Sequence, residues 1–111
     1  MLGVLGVGHL ATAMLAGLVR AGVPPTDVLL APRGQAATLS ARHGFAVAVD
    51  NDDLVRRADV VLLAVRPAAV AGAIAGLPWR ADQIVISACA GVPLAAMTVA
   101  PAQAMRIMPM T

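Results

Sequence analysis

With 111 residues, 59 % of them apolar and 13 % charged, the chain makes one domain with a real core, and intrinsic disorder is excluded. The net charge is +2, all eight bases are Arg and dispersed (only Arg56 and Arg57 are adjacent), and the aromatics are Phe45 and Trp79 alone, so the chain has no basic run for a nucleic-acid duplex or membrane and no stacking platform for a single strand. A single cysteine, Cys89, excludes an internal disulfide framework and a multi-cysteine metal site, and fits a reducing cytoplasm.

Leu2 to Leu5 is a short apolar run of buried-strand length. From Leu10 to Ala21, apolar and small residues recur at three and four, which predicts a helix; Gly22 and the pair Pro24-Pro25 end it. Met1 to Val19 carries no formal charge, but no basic residue precedes it and Gly3, Gly6, Gly8 and Gly17 interrupt it, so it reads as part of a soluble fold and not as a signal or a span. Val28 to Ala31 is a second strand, stopped by Pro32. Gln35 to His43 is a helix closed by Gly44, and Phe45 to Val49 is a third strand. Asp53 to Arg57 is a short helical turn, with Asp52 and Asp53 as its caps. Val60 to Val65 is the strongest strand signal, and Pro67 to Gly76 is a helix with proline in its first turn. Gln83 to Ala88 is a fifth strand, Pro93 to Val99 a helix, and Ala104 to Met108 a sixth strand that buries Arg106.

Strands and helices therefore alternate, and the strands are continuous apolar runs. That pattern belongs to a parallel sheet covered on both faces. The expected fold is α/β, a Rossmann-type doubly wound sheet of about six strands with strand one at its centre and residues 1–111 forming one dinucleotide-binding domain. Ligands on such sheets sit at the carboxyl ends of the strands.

After the first strand comes Gly6-Val7-Gly8-His9-Leu10-Ala11, a G-x-G-x-x-A turn that opens a helix. Gly6 suits the tight turn, Gly8 leaves room for a pyrophosphate, and Ala11 allows close helix–strand packing. The free amides and positive helix end then face the phosphates, and His9 is expected as a neutral donor near phosphate or nicotinamide. After the second strand comes Ala31-Pro32-Arg33. No acid lies between Val28 and Asp50 to hold a ribose 2′-hydroxyl, whereas Arg33 suits a 2′-phosphate. NADP is therefore expected, with NAD as the alternative. Asp50 to Asp53 lacks the glycine and closing Glu of a calcium loop, and no metal site is expected. Asn51 is either a helix cap or a contact to the adenosine half. Cys89 has no nearby histidine and reads as a small residue lining the crevice. Four of the six methionines (Met97, Met105, Met108 and Met110) make an apolar tail, read as core or as a surface for another domain or a second copy.

The glycine turn, Ala64-Val65-Arg66-Pro67, Ile86-Ser87-Ala88-Cys89-Ala90-Gly91-Val92 and Arg106-Ile107-Met108-Pro109-Met110-Thr111, in this order and spacing, resemble pyrroline-5-carboxylate reductase over essentially the whole chain. The resemblance implies hydride transfer from NADPH to a cyclic imine, giving proline, in a cytoplasmic enzyme of amino-acid biosynthesis. It implies cofactor contacts at Gly6, Val7, Gly8, His9, Leu10 and Ala11, at Ala31, Pro32 and Arg33, at Asn51, at Ala64, Val65, Arg66 and Pro67, and at Ala88, Cys89 and Ala90. It also implies a helical C-terminal domain for dimerisation and imino-acid binding, which these 111 residues do not include. His9 stands where the family has Asn or Gln, and Met110 where it has Asn; a thioether cannot replace an amide's donors. The expected activity of the 111 residues alone is therefore cofactor binding without catalysis. The alternatives are a stand-alone NADP-binding module and the cofactor domain of a divergent imine or hydroxy-acid reductase.

Overall fold

The structure, a computed structural model, describes residues 1–89 and 97–107. Its elements run β1 (Leu2–Leu5), α1 (His9–Arg20), β2 (Val28–Leu30), α2 (Ala36–His43), β3 (Ala46–Val47), α3 (Asn51–Arg57), β4 (Val60–Leu63), α4 (Val70–Ile74), β5 (Ile84–Ser87) and β6 (Gln103–Arg106), with short 3-10 turns at Pro25–Asp27 and Pro67–Ala69. The six strands form one sheet in the order β3-β2-β1-β4-β5-β6, and every pairing is parallel. This is the expected Rossmann-type α/β sheet. The winding reverses between β1 and β4, which places the switch point beside the glycine turn.

Apolar residues on both sides of each central strand are needed because both faces are covered. Val4, Leu30 and Leu62 face α1 and α2, where they pack with Leu15, Leu39 and Phe45. Leu5, Leu29, Val61, Leu63 and Val85 face the other way, against Leu54, Ile74 and Trp79. The alternation is the period-two geometry of a strand, and each buried Leu or Val contributes about 1.5–3 kcal/mol. Over β5 and β6 the α1 side is thinner: Ile84, Met105 and Ile107 remain exposed.

Several boundaries differ from the sequence reading. The fourth strand stops at Leu63 because Ala64 makes the last ladder bond, donating to the Leu5 carbonyl at 2.8 Å. The third strand shrinks to two residues at the sheet edge, where it has a single neighbour. The Pro67 to Gly76 segment begins as a 3-10 turn before α4. Helix α3 starts at Asn51, two residues early, because Asp50 is its N-cap and accepts the Asp53 amide at 2.7 Å. Asp53 instead reaches back to the Val49 amide at 3.0 Å and on to Arg57 at 3.2 Å, and Asp52 lies 3.9 Å from Arg56. Arg106 is exposed and ends an edge strand; it is not buried as expected, because β6 has only β5 beside it. Of the expected Pro93 to Val99 helix, residues 93–96 lie outside the described residues, and Met97 to Val99 are not helical. Met97 is core, Met105 is exposed, and Met108 and Met110 lie outside the described residues.

The C-terminus of α3 is held by side chains from the segment before β5. The Arg80 guanidinium donates to the carbonyls of Val55, Arg56 and Ala58 at 2.7–3.0 Å. The buried Gln83 amide donates to Ala58 at 2.9 Å and also to Val55, and its oxygen accepts the Arg80 backbone amide at 2.6 Å. These bonds satisfy carbonyls that a helix end otherwise leaves open. Among the described residues no helix is long and apolar enough to cross a membrane, and no three His, Cys, Asp or Glu side chains are grouped as metal ligands. Met1 to Val19 is β1, the glycine turn and most of α1.

Candidate cofactor site

The carboxyl ends of β1, β2 and β4 open onto a crevice of about 490 Å³, bordered by Gly6, Ala31, Arg33, Asn51, Val65 and Ala69. Of the ten residues that line it, five (Gly6, Ala31, Arg33, Asn51 and Val65) were singled out from the sequence, in four separate segments. Two further hollows adjoin it, of about 530 and 730 Å³; Pro32 and Arg33 border both, so Arg33 borders all three.

Gly6 has φ of +89°, and a Cβ there would stand 2.7 Å from backbone atoms of Ala64 and Val65. Only glycine permits both this conformation and this contact between the β1 and β4 loops. At Gly8 the situation is reversed: a Cβ would meet nothing within 4 Å, so its open side is free for a ligand. Gly8 is also the N-cap of α1, and no side chain caps that helix or brings an acid into its first turn. The positive helix end is left facing outward, as a bound phosphate requires. Thr12 was not singled out from the sequence; its hydroxyl donates to the Gly8 carbonyl at 2.7 Å and braces the turn. His9 is exposed beside Gly8, while Leu10 and Ala11 turn into the core, Ala11 completely.

Arg33 is exposed at the end of β2 and has no ion-pair partner among the described residues. Asp50 and Asp52 border the 730 Å³ hollow together with Arg33, a proximity that their separation along the chain hid from the sequence. Both carboxylates are engaged, Asp50 with the Asp53 amide and Asp52 near Arg56. Since Asp50 is the cap, Asn51 is released from that role, and it borders the crevice. Next to Arg33, Gln35 donates its amide to the Val7 carbonyl at 2.8 Å, joining the β2 loop to the glycine turn.

On the other side, Arg66 and Pro67 are exposed at the end of β4. Ala88 and Cys89 are buried, each 4 % exposed. The Cys89 thiol donates to the Val65 carbonyl at 3.0 Å, so the side chain braces the β4 loop. Ala90 lies outside the described residues.

A family described as NADP oxidoreductase coenzyme F420-dependent matches residues 1–91. The chain belongs to this family. It is also similar to pyrroline-5-carboxylate reductases: that of Glycine max is 36 % identical over 98 residues, which cover 84 % of this chain and 36 % of the relative. Among solved structures, a pyrroline-5-carboxylate reductase from Coxiella burnetii superimposes with a TM-score of 0.86 at 24 % identity, over 99 % of this chain and 44 % of that one. The Plasmodium falciparum pyrroline carboxylate reductase, solved with NADP bound, does so with a TM-score of 0.81 at 21 % identity, over 97 % and 41 %. The chain thus spans little more than a third of the length of the curated relatives it matches.

Proposed function

We propose that the chain is the NADP(H)-binding unit of a reductase acting on a cyclic imino acid of the pyrroline-5-carboxylate type. The observation that carries this reading is the crevice at the switch point, where Gly6, Ala31, Arg33, Asn51 and Val65 converge beside an uncapped helix N-terminus. In this reading Gly6 to Ala11 hold the pyrophosphate, through the amides of Gly8, His9 and Leu10 and the packing of Ala11 under the turn. Ala31 to Arg33 meet the adenosine ribose, with the Arg33 guanidinium on the 2′-phosphate. Asn51 offers an amide to the adenosine half. Ala64 to Pro67 and the Ala88 to Ala90 segment form the wall of the nicotinamide half, and Gly6 and Cys89 fix the β4 part of that wall. NADPH, when bound, would supply the hydride that such an imine accepts. The similarity to pyrroline-5-carboxylate reductases, one of them solved with NADP, supports the choice of substrate class and cofactor.

Calorimetric titration with NADPH and NADH tests the assignment. A charge-assisted contact is worth about 1.5–3 kcal/mol, so NADPH binds roughly ten- to a hundredfold more tightly, and Arg33→Ala removes that preference. Equal affinities in the parent chain, or an unchanged preference in the variant, would take Arg33 out of the site.

A further inference from the structure

The loop that carries Arg33 is clasped to the glycine turn at one point. Gly34 has φ of +60°, and a Cβ added there would run into the Val7 carbonyl, with the Val7 carbonyl carbon itself at 3.1 Å. That same carbonyl accepts the Gln35 amide at 2.8 Å. On one side of Gly34, Arg33 donates its amide to Ala31 at 2.8 Å; its carbonyl accepts the Ala36 amide at 3.2 Å, at the start of α2. The Arg33 backbone therefore has its position set by β2, by α2 and by the clasp on Val7.

We propose that Gly34 is a positioning residue for dinucleotide specificity: it lets the β2 loop seat on the Val7 carbonyl, and so registers Arg33 against the glycine turn. The proposal rests on the dinucleotide reading above. The two sides of the clasp are unequal. Val7 is 3 % exposed, and the turn before it is wedged against the β4 loop at Gly6. Pro32, Arg33, Gly34 and Gln35 are all exposed. When the contact is forced apart, the β2 loop is the part that yields, and Arg33 moves with it. The pyrophosphate half stays where it is. Loss of the clasp is therefore read in the ratio of NADPH to NADH affinity and not in dinucleotide binding as such. A 2′-phosphate and a 2′-hydroxyl differ only at the atom Arg33 addresses.

The test is a set of NADPH and NADH titrations on the 111-residue chain, its Arg33→Ala and Gly34→Ala variants and the double variant, with circular dichroism as the check on folding. Gly34→Ala brings the Cβ and the disfavoured φ together. Gln35→Pro is the second variant: it keeps Gly34, replaces the amide donor with a ring carbon that the Val7 carbonyl cannot accommodate, and sits at φ of −87°, near the value a proline ring sets. The expected result is a roughly tenfold or larger loss of NADPH affinity in Gly34→Ala and in Gln35→Pro, with NADH affinity within about threefold of the parent. The double variant shows the same affinity ratio as Arg33→Ala alone, since both changes remove one interaction. Parallel losses for both dinucleotides, an unchanged ratio, or additive effects in the double variant would overturn the role of Gly34 and leave the parent and Arg33→Ala results standing. A parent chain that binds neither dinucleotide, or binds both equally, would overturn the cofactor reading and this proposal with it.

Discussion

At the scale of single residues, the turn before α3 shows how position divides similar side chains into different tasks. Asp50, Asn51, Asp52 and Asp53 look alike in the sequence, a polar cluster between a strand and a helix. In the fold Asp50 caps, Asp53 bonds the Val49 amide, Asp52 lies near Arg56, and Asn51 alone borders the crevice. The Val49 amide holds the Asp53 carboxyl below its ordinary value; partial desolvation opposes this, and Arg57 reinforces it. A depressed carboxylate stabilises the fold at pH values above its unfolded pKa, and the stabilisation is lost as pH falls through the lower, folded value. Acid titration of stability therefore steepens below about pH 4, and Asp53→Asn flattens that limb while lowering stability at neutral pH. Denaturant unfolding of parent and variant across pH 2 to 7 measures both; identical pH dependence would show that the Val49 bond does not survive in solution.

At the scale of elements, α3 cannot stand by itself, being seven residues long between β3 and β4. Isolated helices of that length are marginal in water, so its ends must be held by the fold. Asp50 holds the first turn, while Arg80 and Gln83 hold the last from a segment more than 20 residues away. Gln83 is 1 % exposed and Arg80 is half-buried. Gln83→Ala takes the buried donor from the Val55 and Ala58 carbonyls, leaving them to Arg80 alone, and leaves the Arg80 backbone amide without its acceptor, at about 1–3 kcal/mol. Arg80→Ala leaves Gln83 on both carbonyls and opens only the exposed Arg56 carbonyl, and costs less. Urea denaturation at neutral pH ranks the two, and a Gln83→Ala loss smaller than that of Arg80→Ala would contradict the ordering. Because α3 packs on β1 and carries Asn51, its looser end in Gln83→Ala is felt at the crevice as well.

For the molecule as a whole, the function proposed above accounts for one half of a reduction and not the other. The strand ends supply groups for a dinucleotide, and orientation contributes about 7–11 kcal/mol to a barrier only when both reactants are fixed. The 111 residues are therefore expected to bind NADPH without oxidising it at a useful rate in the presence of pyrroline-5-carboxylate, followed by absorbance at 340 nm. Binding itself is read as stabilisation. NADPH at a hundred times its Kd adds about 2.7 kcal/mol, which for a domain of this size raises Tm by about 10–20 °C. No shift with NADPH would remove the cofactor half, and steady turnover would show that these residues hold the imine too.

The sequence by itself determined the class of fold and where the glycine turn falls in it. Alternating apolar runs and helical periods allow little except a doubly wound parallel sheet, and G-x-G-x-x-A after the first run puts a glycine turn at its carboxyl edge; both are local signals, carried by neighbouring residues. The tertiary structure decided which side chains share a space. That Arg33 shares a hollow with Asp50 and Asp52, that Asn51 shares a crevice with Gly6 and Val65, that Cys89 turns to the Val65 carbonyl, and that Gly34 sits on Val7 bring together segments far apart in the chain. The strand ends were overrun for the same reason. A strand stops where its neighbour's ladder stops, as Leu63 does one bond before Ala64 leaves Leu5, and the position of a neighbour is not written in the strand's own residues.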